Sequence, residues 1–172
     1  MSVTLSEADR KTLNKGGPMS KKPILRDAET KDMGSMMHLI KKLIDHEAEI
    51  SSIPLIEDKQ QVIMETVARA LVDPEQHAWV VEKSGRILGI FMVTKETRFT
   101  ANARNPVCIF TNAYSQKTVL SFYEVHNQVK KWAKEKDCKA IQIVGLTENK
   151  KMQHLCEGFG YTKAAVIYEM EV

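Results

Sequence analysis

Glycine is scarce in the second half of the chain. The 172 residues include 8 glycines, and none lies between Gly89 and Gly145. A loop that cradles a phosphate group needs glycine, because bare backbone lets N–H groups approach the anion closely. The middle of the sequence therefore lacks a glycine-rich phosphate loop of the usual kind.

Long apolar runs and cysteines are also few. No run approaches the roughly 20 apolar residues that a membrane helix needs. The N-terminal residues lack the apolar core of a signal peptide, so we expect a cytoplasmic protein. The three cysteines, Cys108, Cys138 and Cys156, are odd in number and lack metal-ligand spacing. Reduced thiols and no metal site are the expectation.

The formal net charge is small and unevenly placed. It is +3 overall, and residues 1–22 hold all of it, whereas residues 23–172 carry 20 basic and 20 acidic residues. A neutral body argues against a nucleic-acid groove, which needs clustered Lys and Arg. The lysines between Lys130 and Lys139 are interleaved with acidic residues, as on an ordinary solvated helix face.

Residues 1–22 form a basic N-terminal arm, and residues 23–172 form one domain of ordinary size. The arm has a capping-box pattern at Ser6 and Asp9, then a Gly16-Gly17 stop. We expect the arm to dock on a protein partner or on a second copy of the chain; the alternative is a solvated tail.

The body alternates strand and helix patterns. "PILRDA" predicts a strand, and Thr30 is a suitable cap for a helix with a Met-rich face. The elements that follow are a helix from about Glu57 to Leu71, a hairpin turning at Lys83–Arg86, the strand "VCIFTNAY", a helix from about Thr118 to Lys136, the strand "AIQIVGL", a short helix after Asn149 and the strand "AAVIYEM".

This order predicts a mixed sheet. A late β-α-β unit requires a parallel strand pair, whereas the early hairpin is antiparallel. The fold class is therefore α+β or α/β, a single domain with a central mixed β-sheet and helices on both faces.

The order and several local motifs resemble the GNAT superfamily of acyl-coenzyme A dependent N-acyltransferases. Near the C-terminus the family has Asn, an apolar residue, Tyr and Gly-Phe at fixed spacing. Here Asn149, Met152, Cys156 and Gly160-Tyr161 hold those positions. "ILRDAETKDMGSM" is similar to the family's first strand and helix, and "AWVVEKSGRILGIFMV" to its central hairpin, with Gly89 at a position for a small residue.

The resemblance implies acetyl-coenzyme A as cofactor and a small-molecule amine as acceptor. Backbone N–H groups of Ile109, Phe110 and Thr111 would hold the thioester carbonyl, and Asn149 would lie at the cofactor site. Cys156 stands where many members carry the tyrosine that protonates the coenzyme thiolate. A thiol has a pKa near that of the leaving group and could donate the proton. The alternative is that Cys156 is a small apolar residue that packs a helix on the sheet.

The pyrophosphate motif of the family, Gln/Arg-x-x-Gly-x-Gly/Ala, is not matched. Aligning Trp132-Ala133 places Lys117 at its first position and Leu120 and Phe122 at its small positions. A shift of two residues places Ser115, Thr118 and Leu120 there instead. We expect Leu120 and Phe122 to fill the pyrophosphate groove, so that coenzyme affinity is millimolar or absent, although Lys117 adds a positive charge.

A general base is not evident either. "VCIFTNAY" has no Glu, Asp or His, Glu65 lies on another predicted helix, and His126 is expected to be a surface or packing residue. Two functions stay open. One is a diverged acetyltransferase. The other is a non-catalytic GNAT-fold structural or partner-binding protein, as found among tailed-phage virion and accessory proteins, which would make it virion-associated.

Overall fold

The computed structural model describes residues 22–50, 59–100, 103–115, 122–143 and 149–163. Residues 1–21 of the N-terminal arm, Lys117, Leu120 and the predicted final strand lie outside these ranges. The elements in chain order are β1 (Ile24–Asp27), α1 (Met33–Ile50), α2 (Lys59–Val72), β2 (Gln76–Lys83), β3 (Arg86–Thr100), β4 (Ala103–Ser115), α3 (Phe122–Glu135), β5 (Ala140–Ile143) and α4 (Lys150–Gly158).

The five strands within the described residues form one mixed sheet in the order β1-β2-β3-β4-β5. The first three neighbouring pairs are antiparallel, and β4 and β5 are parallel. The predicted mixed sheet and the predicted parallel fourth and fifth strands are therefore confirmed. Within the described residues β5 pairs with β4 from Val107 to Phe110.

The hairpin between β2 and β3 turns through Ser84 and Gly85, whose φ angles are 52° and 77°. Two successive positive φ angles are typical of the tight turn that matches the twist of paired strands. Gly89 follows in β3, where an added Cβ would lie 3.2 Å from the carbonyl oxygen of Tyr114. Close backbone approach between β3 and β4 therefore explains the small residue at this position.

The core has two parts, one on each face of the sheet. On one face α1 and α2 pack on alternate residues of β2 and β3, including Val80 and Ile90. On the other face α3 packs on the intervening residues, including Val81 and Phe91. The period of two along each strand produces this division. The predicted helices on both faces are confirmed, and the Met-rich face of α1 is core, with Met36 fully buried.

The start of α1 differs from the prediction that Thr30 caps it. A 3-10 turn, Thr30–Asp32, comes first and has Glu29 at its N-cap. The buried Asp32 carboxylate accepts the Glu29 N–H at 2.9 Å and pairs with the Arg26 guanidinium at 2.7 Å. Arg26 thereby lowers the pKa of Asp32. The Asp32 carboxylate, which is held in place by Arg26, therefore caps this turn in place of the Thr30 hydroxyl.

Candidate active site

Three predicted cofactor residues lie where β4 leaves the regular ladder. Along β3 and β4, Met92 pairs with Asn112 and Val93 pairs with Phe110, so Thr111 is an extra residue in β4. This is a β-bulge, which bends a strand and redirects its backbone groups. The Thr111 hydroxyl donates to the Met92 carbonyl oxygen at 3.3 Å, whereas Ile109 and Phe110 are buried. The bulge follows directly after the last described β4–β5 pair, Phe110 with Ile143.

The Asn149-to-Tyr161 motif builds α4 and its two ends. Asn149 is the N-cap, and its Oδ1 accepts the Met152 N–H at 3.1 Å. At the other end the Gly160 N–H donates to the Glu157 carbonyl and the Tyr161 N–H donates to the Cys156 carbonyl. These two bonds form a Schellman motif, which needs the left-handed φ of +81° at Gly160. In the structure Asn149 therefore acts as a helix cap; its predicted cofactor contact stays a prediction.

Cys156 lies in the last turn of α4 and is half-buried. Burial raises the pKa of its thiol above the ordinary value. The thiol is therefore protonated at neutral pH and is a proton donor rather than a thiolate nucleophile. Its predicted role as the acid for a departing thiolate stays a prediction, as does the alternative packing role.

His126 is buried and has a hydrogen-bond partner that its position in the sequence does not reveal. Its Nε2 lies 2.9 Å from the hydroxyl oxygen of Tyr161, the residue placed by the Schellman motif. Burial lowers the pKa of His126 and raises that of Tyr161 to about 12. Both groups are therefore uncharged at neutral pH. His126 is 3% exposed, so it packs inside the protein.

Aromatic rings surround this pair. The Phe122 ring lies 5.0 Å from Phe159 and 6.0 Å from His126, and Phe159 lies 4.9 Å from His126 (centroid distances). Phe122 also lies 6.3 Å from Phe110 of β4. We call Phe110, Phe122, His126, Phe159 and Tyr161 the aromatic cluster. It joins the beginning of α3, the end of α4 and the strand that carries the bulge.

Neither a metal cluster nor a membrane helix emerges from the described ranges. In those ranges no three His, Cys, Asp or Glu side chains are grouped so as to hold a metal ion. None of the described helices is both long enough and apolar enough to span a bilayer.

Comparison with known proteins identifies the fold. No family model and no curated protein matches the sequence. Among solved structures, the aminoglycoside N-acetyltransferase AAC(6')-Iy in complex with coenzyme A is similar to this chain, with a TM-score of 0.71 and 13% sequence identity. The match covers 90% of this chain and 98% of that one. This chain has the GNAT fold.

Two further solved structures are also similar to this chain. A predicted acetyltransferase with acetyl-coenzyme A from Clostridium acetobutylicum has a TM-score of 0.69 and 15% identity, and the match covers 87% of this chain and 96% of that one. The aminoglycoside 6'-N-acetyltransferase AAC(6')-IG from Acinetobacter haemolyticus has a TM-score of 0.66 and 12% identity, with 87% and 98% covered. The predicted resemblance is thus confirmed for the fold.

The structure gives different surroundings to Thr111 and Phe122, which the family resemblance assigns to the acyl end and the pyrophosphate end of a coenzyme. The bulge at Thr111 lies beside the parallel strand β5. Phe122 is the first described residue of α3, its ring belongs to the aromatic cluster, and the sequence has no glycine nearby. The coenzyme contacts expected at these two positions stay predictions.

Proposed function

We propose that this chain is an N-acetyltransferase that takes an acetyl group from acetyl-coenzyme A and passes it to an amine. The observation that carries the proposal is the β-bulge at Thr111, next to the parallel β4–β5 pair. Support also comes from the fold, since AAC(6')-Iy and the Clostridium acetobutylicum protein were solved with coenzyme A and acetyl-coenzyme A.

The bulge offers a way to polarise a carbonyl group. A bulge leaves its extra residue out of the regular ladder, so we expect a backbone N–H among Ile109, Phe110 and Thr111 to be available to a ligand. Fixed backbone donors stabilise the negative charge that develops on a carbonyl oxygen under attack. When bound, the coenzyme supplies the acetyl group as a thioester with such a carbonyl.

The two proton transfers of the reaction require fewer protein groups than the polarisation of the carbonyl. Cys156 holds a proton at neutral pH because burial raises the pKa of its thiol. We assign it the return of a proton to the departing thiolate, a role that water can share. We assign removal of the proton from the amine to solvent, because the buried His126 already contacts Tyr161.

A second candidate is a GNAT-fold module that binds a protein partner and performs no chemistry. The observation in its favour is Phe122, whose ring packs at the beginning of α3. At a position that the family motif reserves for a small residue, a bulky ring would take up space that a pyrophosphate needs. The basic arm of residues 1–22 would then supply the contact with an acidic partner.

Calorimetric titration with acetyl-coenzyme A and with free coenzyme A tests the proposal, followed by an assay of thiol release with a panel of amines. The panel includes neamine, whose acetylated form is part of the bisubstrate analogue bound to AAC(6')-Iy. Saturable binding and amine-dependent thiol release would support the acetyltransferase. Neither heat nor thiol release would support the partner-binding module.

A further inference from the structure

A cavity lies on the face of the sheet opposite the aromatic cluster. It has a volume of about 390 Å³, between the first three turns of α1 and the β2–β3 turn. Its lining includes Leu39, which belongs to the core under α1 and α2. The cavity is therefore separate from the proposed acyl-transfer site, and its size is at the lower end of the range for small-ligand pockets.

A second β-bulge shapes the floor of this cavity. Val81 pairs with Gly89 and Glu82 pairs with Ile87, so Leu88 is an extra residue in β3. The bulge breaks the alternation of side chains, and Ile87 and Leu88 both line the cavity. A Cβ added at Gly34 or Gly85 would meet no atom within 4 Å. The glycines therefore leave open space on the α1 side and on the turn side.

The described side chains that line the cavity include two cations and no carboxylate. Gly34, His38 and Lys42 are four residues apart and share one stripe of α1, and Arg86 follows the turn on the opposite side. No Asp or Glu belongs to the described residues that line the cavity. Among the described residues, Lys41 pairs with Asp45, whereas His38, Lys42 and Arg86 have no ion pair within 4.0 Å.

We infer that this cavity binds a small anion, a molecule with a phosphate or carboxylate group, through Lys42 and Arg86. Two cations, Lys42 and Arg86, that line one cavity repel one another, and an anion between them removes that repulsion. Arg86 can offer a fork of two N–H donors and Lys42 a point charge, the two modes by which proteins hold such groups. Ser35 adds a hydroxyl at the rim. This inference goes beyond acetyl transfer and does not rest on it.

The test is a backbone-amide NMR titration of the full chain with inorganic phosphate and, separately, with succinate, at constant ionic strength and without coenzyme. We expect saturable shifts at Ser35, His38 and Arg86 with at least one of the two anions and a dissociation constant on the order of 1 mM. Phosphate alone would indicate a phosphorylated ligand, and succinate alone a carboxylic acid. No saturable shift at these amides with either anion would overturn the inference.

Substitutions distinguish a specific anion-binding site from a general effect of positive charge on the surface. Lys42→Ala with Arg86→Ala should weaken binding about tenfold or more, because both charge-assisted contacts are lost. The matched control is Lys41→Ala with Lys83→Ala, which removes the same charge from neighbouring positions outside the lining. Equal weakening by both pairs would overturn the inference. Lys42→Gln with Arg86→Gln repeats the comparison with side-chain bulk retained if the alanine pair fails to fold.

Discussion

His126 in α3 and Tyr161 after α4 meet inside the protein, with 2.9 Å between Nε2 and the hydroxyl oxygen. The two residues are 35 positions apart in the chain. Apolar rings surround them, so water cannot easily replace a lost partner. This hydrogen bond ties the end of α4 to α3, next to the strand that carries the Thr111 bulge.

Replacing Tyr161 with phenylalanine removes the hydroxyl and leaves the buried imidazole nitrogen without this partner. We expect the free energy of unfolding to fall by about 1–3 kcal/mol, as for other unsatisfied buried polar groups. Urea denaturation measures it. Tyr123→Phe is the control, because Tyr123 is 63% exposed, and its effect should stay within about 0.5 kcal/mol. Equal effects of the two variants would contradict a stabilising role for the His126 contact.

The stability of the protein should fall on mild acidification. Burial holds the pKa of folded His126 below the value of about 6.5 in an unfolded chain. Between those two values the unfolded chain binds a proton that the folded chain does not, so the free energy of unfolding decreases as pH falls below about 6.5. His126→Gln removes this component. Unfolding curves from pH 8 to pH 5 should therefore have a smaller slope for the variant; an unchanged slope would show that His126 does not titrate as proposed.

Gly160 should tolerate no side chain without loss of stability. Its φ of +81° is left-handed, and an added Cβ would meet no atom within 4 Å. The penalty for Gly160→Ala is therefore conformational, about 1–2 kcal/mol in the free energy of unfolding. Gly34→Ala makes the same change inside helix α1 and should raise stability by about 0.5–1 kcal/mol. Thermal denaturation compares them, and the same sign for both would contradict the Schellman assignment.

Cys156→Ala should slow acetyl transfer less than about tenfold. A dedicated general acid contributes about 10²–10⁴ in rate, but a half-buried thiol has little driving force as a donor and water can share the role. Cys156→Tyr restores the family's residue and should raise the rate above that of the original chain. Steady-state kcat for thiol release measures both. A loss of more than 10²-fold for the alanine variant would make the thiol essential and contradict this account.

The fold could be predicted because its signals are local. Apolar stripes defined α1, α2 and α3, and a helix between two apolar strands required a parallel pair. The helix caps could be predicted in part, since Asn149 and Gly160 indicated the two ends of α4. Glu29 at the first cap was not, because the preference for Asp32 depends on Arg26, whose position is set by β1 pairing with β2.

The site was predicted less well because it depends on long-range register. The amino-acid sequence of β4 does not show that Thr111 is an extra residue, because the bulge is defined by the pairing of β4 with β3. The contact of His126 with Tyr161 joins two elements whose distance in the chain carries no pattern. One signal was present: His126 lies four residues after Phe122 and three before Val129, on the apolar stripe of α3, which marks it as a buried histidine.

The backbone amide of Thr111 tests the central claim most directly. In an NMR titration with acetyl-coenzyme A, we predict saturable shifts for the amides of Ile109, Phe110 and Thr111, with a dissociation constant on the order of 1 mM because the pyrophosphate is poorly held. Free coenzyme A, which lacks the acetyl carbonyl, should shift these amides less. Amides of β4 that stay unmoved up to saturating acetyl-coenzyme A would contradict the proposed acetyl-transfer site, and micromolar affinity would contradict the role assigned to Phe122.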